Sequence, residues 1–129
     1  MTGQKSVSAI SIMIVDDHTM FRQALGMALG EHDNLVVLFE AASGEDALEI
    51  LANNKPDVIL MDISLPGMNG IEAIRQVVAL RPTKVIAISM HDKDTYEPAV
   101  LEAGARAYVF KGSPIGELVS LIEKVAHAE

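Results

Sequence analysis

The feature that most constrains this chain is a fivefold alternation of a short apolar run with a segment whose apolar residues recur at helical spacing. The runs are Ile10 to Val15, Leu35 to Ala41, Val58 to Met61, Val85 to Ile88 and Ala107 to Phe110. They are nearly continuous and mostly aliphatic, which suits strands buried on both faces better than strands with one wet side. Between them, Met20 to Leu29 places Phe21, Ala24, Leu25, Ala28 and Leu29 on one helical face. Ser43 offers a cap with Asp46 three residues later, ahead of Ala47, Leu48, Ile50 and Leu51. A third helix is predicted over about Ile71 to Leu80, a fourth over about Thr95 to Ala103, and a last one with Leu118, Leu121, Ile122 and Val125 inward. Pro56, Pro66-Gly67, Asn69-Gly70, Pro82, Gly112 and Pro114 punctuate the units. Strand then helix, five times over, predicts an α/β domain: a parallel sheet covered on both faces, with right-handed crossovers. With 129 residues and no linker or low-complexity tract, one domain is expected.

The polar residues have a telling address. Asp16, Asp17, Asp62, Ser89 and Lys111 stand at the C-terminal ends of apolar runs or just beyond them. In an open parallel sheet those ends share one edge, and ligands bind in the crevice outside it. Crowded carboxylates repel one another unless cations compensate, and a lysine plus a divalent metal supplies that compensation. An all-oxygen donor set favours Mg²⁺, which keeps several waters and accepts a phosphate oxygen. The chemistry this permits is phosphoryl transfer to an aspartate nucleophile, with Lys111 and the metal neutralising phosphoryl oxygens and Ser89 donating a hydrogen bond.

Composition closes other routes. There is no cysteine, which removes disulfides, thiolate zinc sites and cysteine nucleophiles, and fits a reducing compartment. A formal net charge of −8 opposes direct binding of DNA by this domain. Met1 to Ser11 shows neither a secretory signal nor a membrane span, so a cytoplasmic protein without membrane contact is expected.

From about Ile12 to Val125 the chain resembles the receiver domains of two-component response regulators. The markers are Val15-Asp16-Asp17-His18, the stretch from Pro56 through Asp62 to Pro66-Gly67-Met68-Asn69-Gly70, Ser89, and Tyr108-Val109-Phe110-Lys111, all in the family's order. Asp16 to Arg22 and Ser89 to Asp92 look most like the NarL/FixJ (LuxR-type) sub-family, whose receivers usually precede a helix-turn-helix domain. The resemblance implies a flavodoxin-like, doubly wound (βα)5 fold with sheet order 2-1-3-4-5. It divides the chain into an N-terminal extension, 1–10, and a receiver, 11–129, with no DNA-binding domain following.

The resemblance also implies roles. Asp62 would be the phosphoacceptor, Asp17 a direct Mg²⁺ ligand, Asp16 a ligand through water, and the Ser64 carbonyl a further ligand. Ser89 and Lys111 would hold phosphoryl oxygens. Ser89 and Tyr108 would form the switch that reshapes the face of the fourth helix, fifth strand and fifth helix. Ser64 and His91 would tune the lifetime of the phosphoryl group. The implied partners are a sensor histidine kinase and an output domain or downstream protein, and two copies could pair through the last two helices. The protein's only catalysis would be on itself.

Plainer readings stand beside these. Acidic residues at strand ends are often solvated loop residues, Asp62 could cap the turn after it, Ser89 could cap the next helix, Tyr108 could be a half-buried aromatic, and Lys111 a surface lysine. Five coincident positions weigh against all of them together. Two other functions share the residues: an aspartate-nucleophile phosphohydrolase, which needs a second Asp where Ser64 stands, and a phosphorylation-independent docking module. Two departures from the family pattern carry expectations of their own. Pro98, tolerated in a helix only in the first turn, predicts a fourth helix that starts late or is irregular. Gly112 after Lys111 predicts a looser loop.

Overall fold

The computed structural model describes residues 9–65, 67–91 and 93–128. Most of the expected N-terminal extension, along with Pro66, Asp92 and Glu129, lies outside the described residues. Ten elements alternate along the chain: β1 (Ile10–Val15), α1 (Thr19–Gly30), β2 (Leu35–Ala41), α2 (Gly44–Leu51), β3 (Val58–Asp62), α3 (Gly70–Leu80), β4 (Lys84–Ser89), α4 (Lys93–Ala103), β5 (Ala107–Phe110) and α5 (Ile115–His127). The strands form one parallel sheet in the order β2-β1-β3-β4-β5. The expected doubly wound fold and strand order are therefore found. β1 takes in Ile10, the last residue of the expected extension, whose N–H donates to the Asn34 carbonyl at 2.8 Å.

Alternation along the central strands sorts their side chains into two cores. Met13, Val15, Ile59, Met61, Val85 and Ala87 face Ala47 and Leu51 of α2, Ile74 and Val77 of α3, and Val100 of α4. Ile12, Ile14, Val58, Leu60 and Ile86 face Leu25 and Leu29 of α1 and Leu118, Val119, Ile122 and Val125 of α5. Every residue of β3 is buried, down to Asp62 at 1% exposure. At about 1.5–3 kcal/mol for each fully buried aliphatic side chain, these two layers fix where the strand ends must lie. No helix of the described residues is long and apolar enough to cross a membrane.

Local signals set the helix starts. Ser43 Oγ accepts from the Asp46 N–H at 3.1 Å, as its spacing predicts, and Asn69 Oδ1 does the same for Glu72 at 2.9 Å. The fourth helix does not start late, as Pro98 had suggested. It starts at Lys93 and carries Pro98 in its interior. Tertiary placement has overridden local preference here: Val100 and Ala103 are buried against the sheet, and the helix holds its course at the cost of the hydrogen bond that Pro98 cannot donate.

Candidate functional site

Three strand ends on one edge use the same local device. Asp16 Oδ1 accepts from the His18 N–H at 2.8 Å, Asp62 Oδ1 from the Ser64 N–H at 2.9 Å, and Ser89 Oγ from the His91 N–H at 3.0 Å. Short oxygen-bearing side chains favour such bonds to the backbone two residues on, and here the bonds fold each loop over the sheet edge and fix the side chain's aim. Ser89 does not cap α4, which begins four residues later. Its hydroxyl accepts with a lone pair, which leaves the O–H available to another acceptor.

Gly70 explains how α3 meets Asp62. A Cβ on that residue would overlap the Ile63 Cα and the Asp62 carbonyl oxygen, so only glycine lets the helix start this close to the strand end. The Gly70 N–H then donates to the Ile63 carbonyl at 3.2 Å.

The centre of the site is electrostatic. Lys111 Nζ lies 2.7 Å from Asp16 Oδ2 and 3.1 Å from Asp62 Oδ2, and the three side chains are 6%, 0% and 1% exposed. Burial works against the ammonium charge, but hydrogen bonding to Asp16 and the charges of Asp62 and Asp16 outweigh it and raise the Lys111 pKa above the ordinary lysine value. The loop that presents Lys111 is pinned rather than loose. The Lys111 N–H donates to the Ser89 carbonyl at 2.7 Å and the Ser113 N–H to the Phe110 carbonyl at 3.0 Å. A Cβ on Gly112 would overlap the Phe110 ring, so glycine there permits close folding of the turn, and the expectation of a looser loop is corrected.

Asp17 stands beside this centre with its side chain 33% exposed. Its Oδ1 is buried and has no hydrogen-bond partner among the described residues. One lysine against three carboxylates leaves the pocket short of positive charge, and an orphaned carboxylate oxygen marks where more would be accommodated. Asp16, Asp17 and Asp62 thus fit a hard divalent cation, in the manner of the acidic clusters with which receiver domains bind Mg²⁺.

Three neighbours carried no functional reading in the sequence. His18 Nδ1 lies 3.2 Å from Asp16 Oδ1 and 3.4 Å from Asp17 Oδ1. The Phe21 ring lies under the Lys111 ammonium, 4.5 Å from its centroid. Arg22 donates to the Asp16 carbonyl at 2.5 Å and to Glu40 Oε1 at 2.9 Å. Phe21 fell within the apolar stripe of its helix, and nothing in a one-dimensional pattern shows that its ring meets a lysine 90 positions later.

Across the edge, Tyr108 is 8% exposed and its hydroxyl donates to the His91 carbonyl at 2.5 Å. Ser89 and Tyr108 therefore grip one residue from two sides, Ser89 at the His91 N–H and Tyr108 at its carbonyl. The His91 ring, exposed on the surface, meets the Tyr96 ring edge-on at 5.0 Å.

Sequence and fold comparisons agree with this arrangement. Residues 12–123 match the response regulator receiver domain. The chain is 36% identical over 127 residues to the transcriptional regulatory protein DegU of Brevibacillus brevis, spanning 98% of this chain and 54% of that protein. It is 38% identical over 117 residues to the response regulator GacA of Pseudomonas syringae pv. syringae, spanning 90% of this chain and 55% of that protein. The chain thus spans about half the length of these curated relatives. A LuxR-family two-component response regulator from Aurantimonas superposes with a TM-score of 0.88 at 33% identity, over 92% of this chain and 86% of that one. The response regulator domain of Thermotoga maritima CheB superposes with a TM-score of 0.87 at 28% identity, over 94% and 98% of the two chains. With the (βα)5 fold, the buried Asp16–Lys111–Asp62 centre and likeness to NarL/LuxR-type regulators, this chain belongs to the family of response regulator receiver domains.

Proposed function

We propose that this domain is a phosphorylation switch that accepts a phosphoryl group from a sensor histidine kinase onto Asp62. The observation that carries the reading is the Lys111 ammonium held between Asp16 and Asp62 in a buried pocket at the sheet edge. A carboxylate so placed is aimed and desolvated, as a nucleophile toward phosphorus must be. An Asp62 carboxylate oxygen forms the new P–O bond as the N–P bond to the donor's histidine breaks. Lys111 takes up charge on the transferred oxygens, and the Ser89 O–H donates to one of them. Asp16, Asp17 and Asp62, with the Ser64 carbonyl as a further ligand, would hold a Mg²⁺ ion, and the charge neutralisation it would supply complements that of Lys111.

The new group changes what Ser89 bonds to, and Ser89 shares His91 with Tyr108. Drawing Ser89 toward the phosphoryl group loosens that grip and lets Tyr108 repack, which favours a second arrangement of α4, β5 and α5. Leu101, Phe110 and Ile115, at 44%, 43% and 41% exposure, give that face apolar contacts for an output domain, a downstream protein or a second copy. Ser64 and His91, both exposed, would govern access of water and so the lifetime of the acyl phosphate. Likeness to transcriptional regulators favours control of transcription through a helix-turn-helix domain, with the receiver itself cytoplasmic, bound to neither DNA nor membrane, and enzymatic only toward its own phosphorylation state.

The test is intact-mass analysis after incubation with Mg²⁺ and acetyl phosphate. One phosphoryl group is expected on the wild type, and none on Asp62→Asn or without metal. A wild type that neither gains mass nor binds beryllofluoride overturns the reading in favour of a docking module that works without phosphorylation.

A further inference from the structure

The proposed metal role uses three carboxylates, but the pocket has a fourth donor. His18 brings Nδ1 to 3.2 Å from Asp16 Oδ1 and 3.4 Å from Asp17 Oδ1. Donor atoms of Asp16, Asp17, His18 and Asp62 all lie within 4.8 Å of one another. A tetrahedral shell with bonds of about 2.0–2.1 Å sets neighbouring donors about 3.3 Å apart, close to both histidine spacings. Asp16 is wholly buried, and the buried Oδ1 of Asp17, with no hydrogen-bond partner among the described residues, faces the same space. The His18 side chain is 67% exposed, so its ring can take up a ligand pose without displacing packed atoms.

We propose that His18 is a ligand of this pocket and that through it the site also binds a nitrogen-preferring divalent ion of the zinc class. Mg²⁺, which selects oxygen and keeps its waters, leaves the imidazole aside, whereas Zn²⁺ and its neighbours bind imidazole well. One pocket then holds two metal classes that differ in whether His18 joins. This rests on the reading of Asp16, Asp17 and Asp62 as a metal site. The competing account is that Nδ1–H merely donates to Asp16 Oδ1 and lies beside Asp17.

The two accounts separate in the untagged full chain, with Zn²⁺ and Mg²⁺ chloride as probes. Calorimetric titration of wild type, His18→Ala and His18→Asn gives both affinities, and long-range ¹H–¹⁵N spectra of histidine-labelled protein report which ring nitrogen binds. Both substitutions should weaken Zn²⁺ binding at least about tenfold and Mg²⁺ binding less than about threefold, and Zn²⁺ should move the His18 Nδ1 resonance. An equal loss for both ions, or an unmoved His18 Nδ1 with shifts at His32, His91 or His127 instead, overturns the proposal. If Mg²⁺ still binds and acetyl phosphate still labels Asp62, only the histidine inference has failed. Failure of the wild type to bind either ion takes the metal site with it.

Discussion

The two halves of the sheet edge are built on opposite terms. On one side, the ends of β1, β3 and β5 deliver Asp16, Asp62 and Lys111 into a buried ion cluster in which each side chain is held by charge and at least two also by a backbone bond from their own loop. On the other, in the β4–α4 connection, Ser89 and Tyr108 hold the backbone of His91 while its ring stays on the surface. The helix that follows carries an interior proline. The first region is held by buried charges, where removing one partner costs about 3–5 kcal/mol, and the second by hydrogen bonds that contribute about 1 kcal/mol each. The proposed phosphorylation switch needs that inequality, because its nucleophile must be placed while its switch must have two arrangements within a few kcal/mol.

The contrast is tested most severely at Lys111. Lys111→Met keeps the length and apolar stem but leaves two buried carboxylates without their cation. Breaking a buried pair in this way destabilises by about 3–5 kcal/mol. Urea denaturation without metal should show that loss, and added Mg²⁺ should restore part of it. The pH dependence has a definite sign. The folded-state pKa of Lys111 is raised above its unfolded value of 10.5, so its contribution is complete below that pH and disappears as pH climbs through the folded value. The gap between wild type and variant should therefore be level around neutral pH and narrow in the alkaline range as Lys111 loses its charge. A gap below about 1 kcal/mol, or one that persists unchanged at alkaline pH, would mean the pocket is not held by the lysine charge.

How far these two regions were legible in the sequence differs for the same physical reasons. Strands buried on both faces leave continuous apolar runs, and four of the five are followed directly by a polar residue, so Asp16, Asp62, Ser89 and Lys111 could be located from pattern alone. Their convergence needed only the parallel sheet, which the alternation of elements implies. The strand order came through resemblance, since the pattern itself does not say which strand is central. What pattern could not show was contact at a distance: Phe21 beneath Lys111, His18 against the acidic pair, or the Phe110 ring folded over Gly112. The start of α4 was misplaced because a local rule for proline was applied to a helix whose position is set by Val100 and Ala103 against the sheet. Gly112 was misread similarly, as freedom, where the structure uses its lack of a side chain for a close approach.

The weaker region yields smaller effects of opposite sign. Proline in a helix interior is about 3 kcal/mol less favourable than alanine, while its restraint on the unfolded chain returns about 0.4–1 kcal/mol. Pro98→Ala should accordingly stabilise the domain by about 2 kcal/mol, with amide exchange slowed in α4. A variant no more stable than wild type would show that α4 is not the soft element and would remove half of the contrast.

Tyr108→Phe probes the grip itself and has the smallest expected effect. The ring stays and fills the same space, so the core loses nothing, but the hydroxyl that donates to the His91 carbonyl is gone. Global stability should fall by about 1 kcal/mol, and the informative readout is where amide exchange accelerates. If the two regions are independent at rest, exchange rises from Met90 through the first turn of α4 and stays unchanged at Ser64 and Lys111. Ser89 retains its bond to the His91 N–H in the variant, so the loop is loosened from one side only and Lys111 keeps both carboxylates. Faster exchange at Lys111 would show that loss of the tyrosine hydroxyl reaches the ion cluster through the Ser89 carbonyl, which accepts the Lys111 N–H. The two halves would then form one coupled unit without any phosphorylation, and the proposed switch would begin from a bond already shared with its trigger.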